Sequence, residues 1–502
     1  MIFPTASTAS TARGFAAAAT LNVTQTPEET QMTADCLKIT NAAIRAVDPV
    51  FSVQASLVHL GDSQFSLQGT VYDLNDYDKI VLVAFGKASS AMATAVVDRL
   101  VQSLYCPELS GLVIIKDDHA TTAELDKLAR HNVTVKSAAH PVPDERSVAA
   151  SEQLLDLVRD AASSQTLLLA CISGGGSALF CAPHPSLSLA DLQATNTALL
   201  QSGWSIQDMN VVRKRLEQGK GGRLAQAAFP APMASLILSD VLGDSLDLIA
   251  SGPTVPDTST WQDAWELVKT LPVGTLPAAV QQLLQDGVDG KVPDSPSAHH
   301  AAFQQCLNCL VGNNAVAVTA AAARAMELGY NPVVLGTQLQ GEASQVAQVF
   351  VGLAQHLQQQ NDDTGYSMTQ LPAALIAGGE TTVSIPKDST GKGGRNQELA
   401  LAAAIAMKTR KLRNIVLASV GTDGTDGPTD AAGAVVDGGT VDRLLGSAAD
   451  ALQRHDAYPY LEQEDAERHS PLVKVRIVVY IDSTSSDRFV VNLIPFLTSP
   501  PR

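Results

Sequence analysis

The sequence predicts an α/β protein built on doubly wound, mostly parallel sheets. Three observations carry that expectation. Short apolar runs alternate with helical stretches along the chain. Nearly all of those runs are continuous in Val, Ile, Leu and Ala rather than alternating, as strands covered on both faces must be. Many end in Gly or Ser ahead of a helix-compatible segment, the βα grammar of a sheet that holds ligands beyond the carboxyl ends of its strands.

Residues 1–32 read as a disordered leader or an organelle transit peptide. Residues 1–27 hold no Asp or Glu, a single arginine (Arg13), and a tract of Ser, Thr and Ala. The spacing of Cys36, Ile39, Ala43 and Val47 then predicts a helix. Strand-like runs follow at 80–85, 112–115, 166–172 and 236–239, and again at 309–312, 332–335, 373–377 and 414–419. The stretch 285–300 is rich in Asp, Gly, Pro and Ser and lacks apolar periodicity, which marks a boundary. A first domain is expected over 33–297 and a second over 305–496, with a polar insertion at 358–370.

At about 150 residues per domain, 502 residues suit two or three domains. Hydrophobic residues make up 45% and charged ones 17%, so a large core can be buried. With 34 basic against 51 acidic residues the net charge is −17, the wrong field for nucleic acid or an anionic membrane. The apolar runs fall far short of the roughly 20 residues that span a bilayer. Six cysteines make no disulfide framework and fit a reducing compartment, so a cytoplasmic location is expected, with a mitochondrion or another organelle as the alternative. Cys306 and Cys309 form a C-x-x-C pair near His299 and His300; with no second pair at ligand spacing, they read as part of an apolar core strand.

The glycine-rich segments that follow the strands carry the chemistry. In Gly86-Lys87-Ala88 the glycine permits a sharp turn and sets Lys87 near a helix N-terminus, where a mobile charge suits phosphate. Ser173, Gly174, Gly175, Gly176 and Ser177 let backbone N–H groups crowd an anion and add two hydroxyls, whereas a plain turn needs only one glycine. Arg213, Lys214, Arg215, Lys220 and Arg223 place five cations in 11 positions among glycines that a surface helix avoids, which suits anionic substrate groups. Ser239 and Asp240 close the next strand ahead of Ser251-Gly252-Pro253-Thr254. A carboxylate there suits Mg²⁺ or a substrate hydroxyl, and a helix cap explains Asp240 equally well.

In the second half, Gly378, Gly379 and Glu380 follow the run 373–377. Arg395, framed by Gly393, Gly394 and Asn396, is a guanidinium on a flexible loop, suited to clamping a carboxylate or a phosphoryl group. The loop 421–430 lacks the Glu that closes a calcium loop. It offers backbone donors and hydroxyls, and a Mg²⁺ contact from Asp423 or Asp426. No Walker A loop and no nucleophile elbow occur, and the dinucleotide fingerprint is missing after the early strands.

Taken in order, these segments resemble the glycerate kinases of the MOFRL type, also called class II. The match runs through Gly86-Lys87-Ala88, His140-Pro141-Val142-Pro143-Asp144, Ile172 to Ala178, Asn210 to Ala225, Ser239-Asp240-Val241, Ser251-Gly252-Pro253-Thr254, Gly378-Gly379-Glu380, Gly394-Arg395-Asn396-Gln397-Glu398 and Gly421 to Gly433, within residues 33–440. The resemblance implies two α/β domains, each a mostly parallel Rossmann-like sheet with helices on both faces, and an active site in the cleft between them. It implies ATP with Mg²⁺, phosphorylation of D-glycerate to 2-phosphoglycerate, and Lys87 and Arg395 as the leading catalytic residues. The mechanism expected on that basis places Ser173, Gly174, Gly175, Gly176, Ser177, Gly378, Gly379 and Glu380 at the nucleotide. Arg213, Lys220, Ser239, Asp240 and Asn396 fall at the substrate, and Asp240 and Asp423 at the metal. The expected assembly is a monomer or a homodimer.

The chain departs from the family after a strand at 475–481. Residues 482–488 read Asp-Ser-Thr-Ser-Ser-Asp-Arg, which keeps hydroxyls but lacks the glycine and asparagine of the usual closing loop, and a further strand is expected at 489–494. Two alternatives stand beside the kinase. A hydroxypyruvate reductase is opposed by the missing dinucleotide fingerprint. A catalytically weakened ligand-binding homologue is motivated by the altered loop and opposed by the intact Lys87 and Arg395.

Overall fold

The computed structural model describes residues 2–4, 27–101, 107–359, 368–386, 388–463 and 476–482. The chain forms two compact units, one of Pro49–Gly312 and one of Met1–Asp48 with Asn313–Arg502. Each is α/β, and no described helix is long and apolar enough to cross a membrane.

Among the described residues, the first unit holds a six-stranded sheet in the order Cys306–Gly312, Met233–Leu238, Thr166–Ile172, Lys79–Phe85, Glu108–Lys116, Val133–Ala138. All of its pairings are parallel. The continuous apolar runs have a direct cause here. Leu168, Ala170 and Ile172 pack with Leu154 and Val158 of the helix Glu145–Asp160, while Leu167, Leu169 and Cys171 on the opposite face are equally buried. Both faces are covered, so neither set of alternate positions is polar. From Lys79–Phe85 the chain winds outward one way, and from Thr166–Ile172 the other. The strand order therefore reverses between these two neighbours, and a crevice opens beyond their carboxyl ends.

A small antiparallel sheet, Leu57–His59, Gln64–Leu67 and Thr70–Asp73, was not expected from the sequence. Its second hairpin turns on Gln68 and Gly69 at φ 48° and 83°, the left-handed pair of a type I′ turn. Gln-Gly is a weaker signal for that turn than Asn-Gly.

The second unit's sheet runs Ile2–Pro4, Ala431–Asp437, Ile415–Gly421, Arg476–Asp482, Ala373–Thr382, Asn331–Glu342. Its last four strands are parallel, and Ala431–Asp437 lies antiparallel to both of its neighbours. Leu375, Ala377 and Leu417 face the helices Ala343–Gln359 and Arg395–Thr409. Ile376, Val416 and Ala418 face the helices Pro27–Ala46 and Asn314–Glu327.

The expected domain boundaries are corrected on two counts. The predicted helix forms as Pro27–Ala46, but its stripe of Met32, Cys36, Ile39 and Ala43 covers the second unit's sheet rather than the first. Tyr330 Oη also donates to Asp35 Oδ2 at 3.2 Å. Cys306–Gly312 is an edge strand of the first sheet, so the division falls at Gly312/Asn313 and not in 298–304. The polar stretch 285–300 is a surface connection within the first unit, because Pro- and Gly-rich composition reports solvent exposure rather than separation of cores. Cys309 is buried on that edge strand, as a core residue would be.

Of the expected leader, Ile2–Pro4 pairs with Ala431–Asp437 and the helix begins at Pro27, while 5–26 lie outside the described residues. So do 360–367 of the polar insertion, the altered loop from 483 onward, and the strand expected at 489–494.

Candidate active site

The two strands that flank the crevice end on the two motifs singled out first. Phe85 lies beside Ile172 in parallel register. Beyond them the loops are stitched together: Ser173 N–H donates to Phe85 O at 3.2 Å and Lys87 N–H to Gly174 O at 2.8 Å. Ala88 N–H donates to Ser173 Oγ at 3.0 Å. Gly86 has φ 123°, and a Cβ there would collide with Ser173, so this junction admits only glycine. The helix Ser89–Leu100 then begins, with Ser89 Oγ donating to Gly86 O at 2.7 Å.

Three side chains converge on 174–175. A Cβ at Gly174 would fall on the Asp240 carboxylate. A Cβ at Gly175, where φ is 77°, would lie 3.0 Å from both His140 Nε2 and Lys87 Cγ. Lys87 is buried. Asp240 follows the strand Met233–Leu238 and His140 the strand Val133–Ala138, so all three groups stand at carboxyl ends of one parallel sheet.

Two residues outside the expected site add to its electrostatics, His119 and Lys116, both from the end of Glu108–Lys116. Burial, and then the nearby Lys87 and Lys116, hold the His140 imidazole down at about 3. Burial and the same two lysines hold His119 at about 4, against a hydrogen bond to Asp117 O that works the other way. Both imidazoles are therefore neutral at neutral pH. The signal that would have found them is positional, since each lies just past a buried strand.

On the other side of the loop, Ser177 Oγ and Ser251 Oγ are 3.0 Å apart, and Ser251 Oγ donates to Asn210 Oδ1 at 3.4 Å. Ala250 and Ser251 both adopt left-handed backbone, at φ 50° and 62°. A Cβ at Gly176 would lie 2.9 Å from the Ala250 Cβ. Consecutive non-glycine residues in this region are strained, and such strain gathers at binding sites.

The cluster of cations divides. Lys220 is buried, ion-paired with Glu217, and donates from Nζ to Ser177 O at 2.8 Å. From there it braces the glycine loop from within, through Ser177 O. Arg215 is buried against Asp257 at 2.7 Å, and Lys214 lies 3.4 Å from Asp247. Arg223 donates to Lys214 O at 2.7 Å. Arg213 differs, donating from Nε to the Asn196 side-chain carbonyl at 2.8 Å. Ser239 Oγ donates within its own turn, to Val241 O at 3.3 Å.

In the second unit, Gly378, Gly379 and Glu380 lie inside the strand Ala373–Thr382 rather than in a loop after it. A Cβ at Gly378 would strike the Asn314 side chain, and one at Gly379 the backbone of Leu339 on the adjacent strand. Both glycines allow close packing at these two points. Glu380 forms an ion pair with Arg395 at 3.1 Å.

Arg395 opens the helix Arg395–Thr409. The next residue, Asn396, is buried. Its backbone N–H and Nδ2 donate to Asp426 Oδ1 at 3.0 and 3.1 Å, and its Oδ1 accepts from Ser419 Oγ at 2.7 Å. Asn396 thus anchors the start of this helix. Asp423 is also committed locally, accepting from Thr425 N–H at 3.1 Å and from Thr425 Oγ1 at 3.2 Å.

The loop before Arg395 is strapped from the C-terminal side. Tyr458 N–H donates to Lys392 O at 3.0 Å, and Lys392 N–H donates to Asp456 Oδ1 at 2.9 Å. Lys392 Nζ stands 4.5 Å from the Tyr458 ring centroid, and Tyr458 Oη donates to Asp430.

For Mg²⁺ the donors can be weighed directly. This ion is usually held by one or two carboxylates together with substrate phosphates. Asp240, a hard oxygen donor packed against the glycine loop at a strand's end, fits that pattern. Asp423, folded into its own turn, fits less well. Among the described residues no three His, Cys, Asp or Glu side chains gather into a metal cluster.

Comparison with known proteins places these features in context. Residues 35–285 match the family described as Domain of unknown function (DUF4147), and residues 373–474 match the MOFRL family. A protein of Agrobacterium vitis provisionally described as a hydroxypyruvate reductase is 41% identical over 387 residues, 76% of this chain and 92% of its own length. The D-glycerate 2-kinase of Thermotoga maritima is 36% identical over 433 residues, 86% of this chain and 93% of that protein. The crystal structure of a Thermotoga maritima glycerate kinase aligns with a TM-score of 0.73 at 34% sequence identity, over 86% of this chain and 94% of that one.

Proposed function

The chain belongs to the glycerate kinases of the MOFRL type, and from that premise we propose that it transfers the γ-phosphoryl group of ATP to the 2-hydroxyl of D-glycerate. The hydroxyl oxygen bonds to the γ-phosphorus, the bond to the β–γ bridging oxygen breaks, ADP leaves, and the hydroxyl proton is released. Such a transfer needs positioning and charge neutralisation more than covalent help from the protein.

The stitched pair of loops at the sheet's reversal point is the observation that carries the assignment of roles. The backbone of 173–177 cradles phosphates, and Lys87 neutralises charge on the phosphoryl group in transit. Arg395, ion-paired with Glu380, is the second cation that the family resemblance assigns to the transfer. Arg213 takes the glycerate carboxylate. Asp240 would hold Mg²⁺, which when bound offsets phosphate charge. Ser177 is held for its part by Ser251 and Lys220.

³¹P NMR of the full chain with MgATP and D-glycerate tests the reaction and its regiochemistry together. The expected products are ADP and 2-phosphoglycerate, and a folded protein that yields no phosphoglycerate overturns the reading. Lys87→Ala should lower kcat by about 10²-fold or more, the usual loss when a charge-stabilising group is removed. In the same samples, hydroxypyruvate should leave NADH unoxidised. NADH oxidation would favour the activity named for the Agrobacterium vitis relative.

A further inference from the structure

His140 opens a segment, 140–144, that the roles above leave without a chemical purpose. The other end of the segment is structural. Asp144 caps the helix Glu145–Asp160 through Ser147 N–H at 3.0 Å, which fixes the chain just past the strand Val133–Ala138 and so fixes where His140 stands. Its Nε2–Cδ2 edge faces Gly175, 3.0 and 3.1 Å from where a Cβ would sit, alongside the Lys87 stem. Its Nδ1 is buried, with no hydrogen-bond partner among the described residues.

That asymmetry assigns the tautomer. A neutral imidazole carries one N–H. A buried N–H without an acceptor is rarer and costlier than an unused lone pair. The proton therefore belongs on Nε2, the nitrogen turned toward the glycine loop.

We propose that His140 is a phosphate-binding residue, donating a neutral hydrogen bond from Nε2 to a phosphate oxygen of the nucleotide held over 174–176. The proposal rests on reading that loop as the nucleotide site. Burial first, and then Lys87, Lys116 and His119, hold this imidazole far below neutrality, and the Asp240 carboxylate stands across the loop at Gly174. A neutral donor has a clear use there. It contributes direction and a hydrogen bond without setting a third positive charge against Lys87 and Lys116.

The test uses the full chain and MgADP, so that it does not depend on turnover. In long-range ¹H–¹⁵N spectra of histidine-labelled protein, the His140 ring should show the Nε2–H tautomer, and its Nε2 resonance should shift on addition of MgADP. By titration calorimetry, His140→Ala should weaken MgADP binding about tenfold or more, the scale of one hydrogen bond to a charged group. His140→Gln places an amide donor at similar reach and should recover to within about threefold of wild type.

An Nδ1–H tautomer overturns the proposal. So does His140→Ala binding within twofold of wild type, or folded His140→Gln protein that binds no better than His140→Ala. Wild-type protein that binds MgADP through His140 but makes no phosphoglycerate overturns only the reaction. Wild-type protein that binds no MgADP overturns the nucleotide site, and the proposal with it.

Discussion

The Asp426 carboxylate accepts hydrogen bonds from both the backbone N–H and the side-chain amide of Asn396, at 3.0 and 3.1 Å. Its other oxygen accepts from Gln397 N–H at 2.8 Å. The helix that carries Arg395 therefore starts on a carboxylate of its own chain, and two of the N–H groups that commonly attract phosphate, those of Asn396 and Gln397, are already satisfied. An anion recruited by this segment answers to the Arg395 guanidinium rather than to the helix end.

Burial lifts Asp426 from 3.8 to about 6, against the pull of these hydrogen bonds and of Arg395. Its folded pKa lies above its unfolded one, so the native state holds the proton more tightly. The stability Asp426 contributes is complete below about pH 4 and is lost as pH rises through about 6. Urea unfolding of wild type and Asp426→Ala should show a gap that narrows by on the order of 2 kcal/mol between pH 4.5 and 7. A gap that widens over that range would contradict this account of Asp426.

Gly174 is small because Asp240 occupies the space of its missing side chain. Gly174→Ala should displace that carboxylate and raise the Mg²⁺ concentration for half-maximal activity roughly tenfold, as should Asp240→Asn, by analogy with losses at metal-supporting positions. Because the two act through one group, the double variant should be no worse than Asp240→Asn alone. Additive losses would separate Gly174 from Asp240.

Glu217 and Lys220 form a buried ion pair behind Ser177. Glu217→Ala strands a buried ammonium and should cost about 3–5 kcal/mol in unfolding free energy. Were Lys220 a substrate ligand, the same change would raise the KM for glycerate with the unfolding midpoint unmoved.

Tyr458 ties the loop before Arg395 to the loop 421–430. Tyr458→Phe keeps the ring beneath Lys392 and loses the hydroxyl that donates to Asp430 and, more weakly at 3.3 Å, to Glu462 Oε1. It should reduce kcat about three- to tenfold, the worth of roughly one hydrogen bond, with little change in the unfolding midpoint. Unchanged kcat in this variant would assign the strap a purely structural role.

The central strands of the two large sheets were legible because both of their faces are buried. Thr166–Ile172 and Ile415–Gly421 are apolar or small at every position, and no polar alternation disguises them. The loops after Phe85 and Ile172 were legible for a related reason: backbones that approach this closely admit only glycine, as at Gly86 and Gly174. At Gly378 and Gly379 the close neighbours are the Asn314 side chain and the strand at Leu339. One letter records close approach without recording what approaches.

By itself, the sequence determined the α/β class, the positions of most of the parallel strands along the chain, the glycine loops that follow them, and through those motifs the family. These are local properties, set by hydrophobic runs and backbone permissiveness over a few residues. Only the tertiary structure decided which sheet the helix Pro27–Ala46 covers and on which sheet Cys306–Gly312 pairs. It likewise decided that Lys220 faces Glu217 while Lys87 and His140 share the space over Gly175. The reason is physical: a charge cluster or an apolar stripe specifies that it needs a partner, and the partner lies tens or hundreds of residues away in sequence. Only the folded backbone names it.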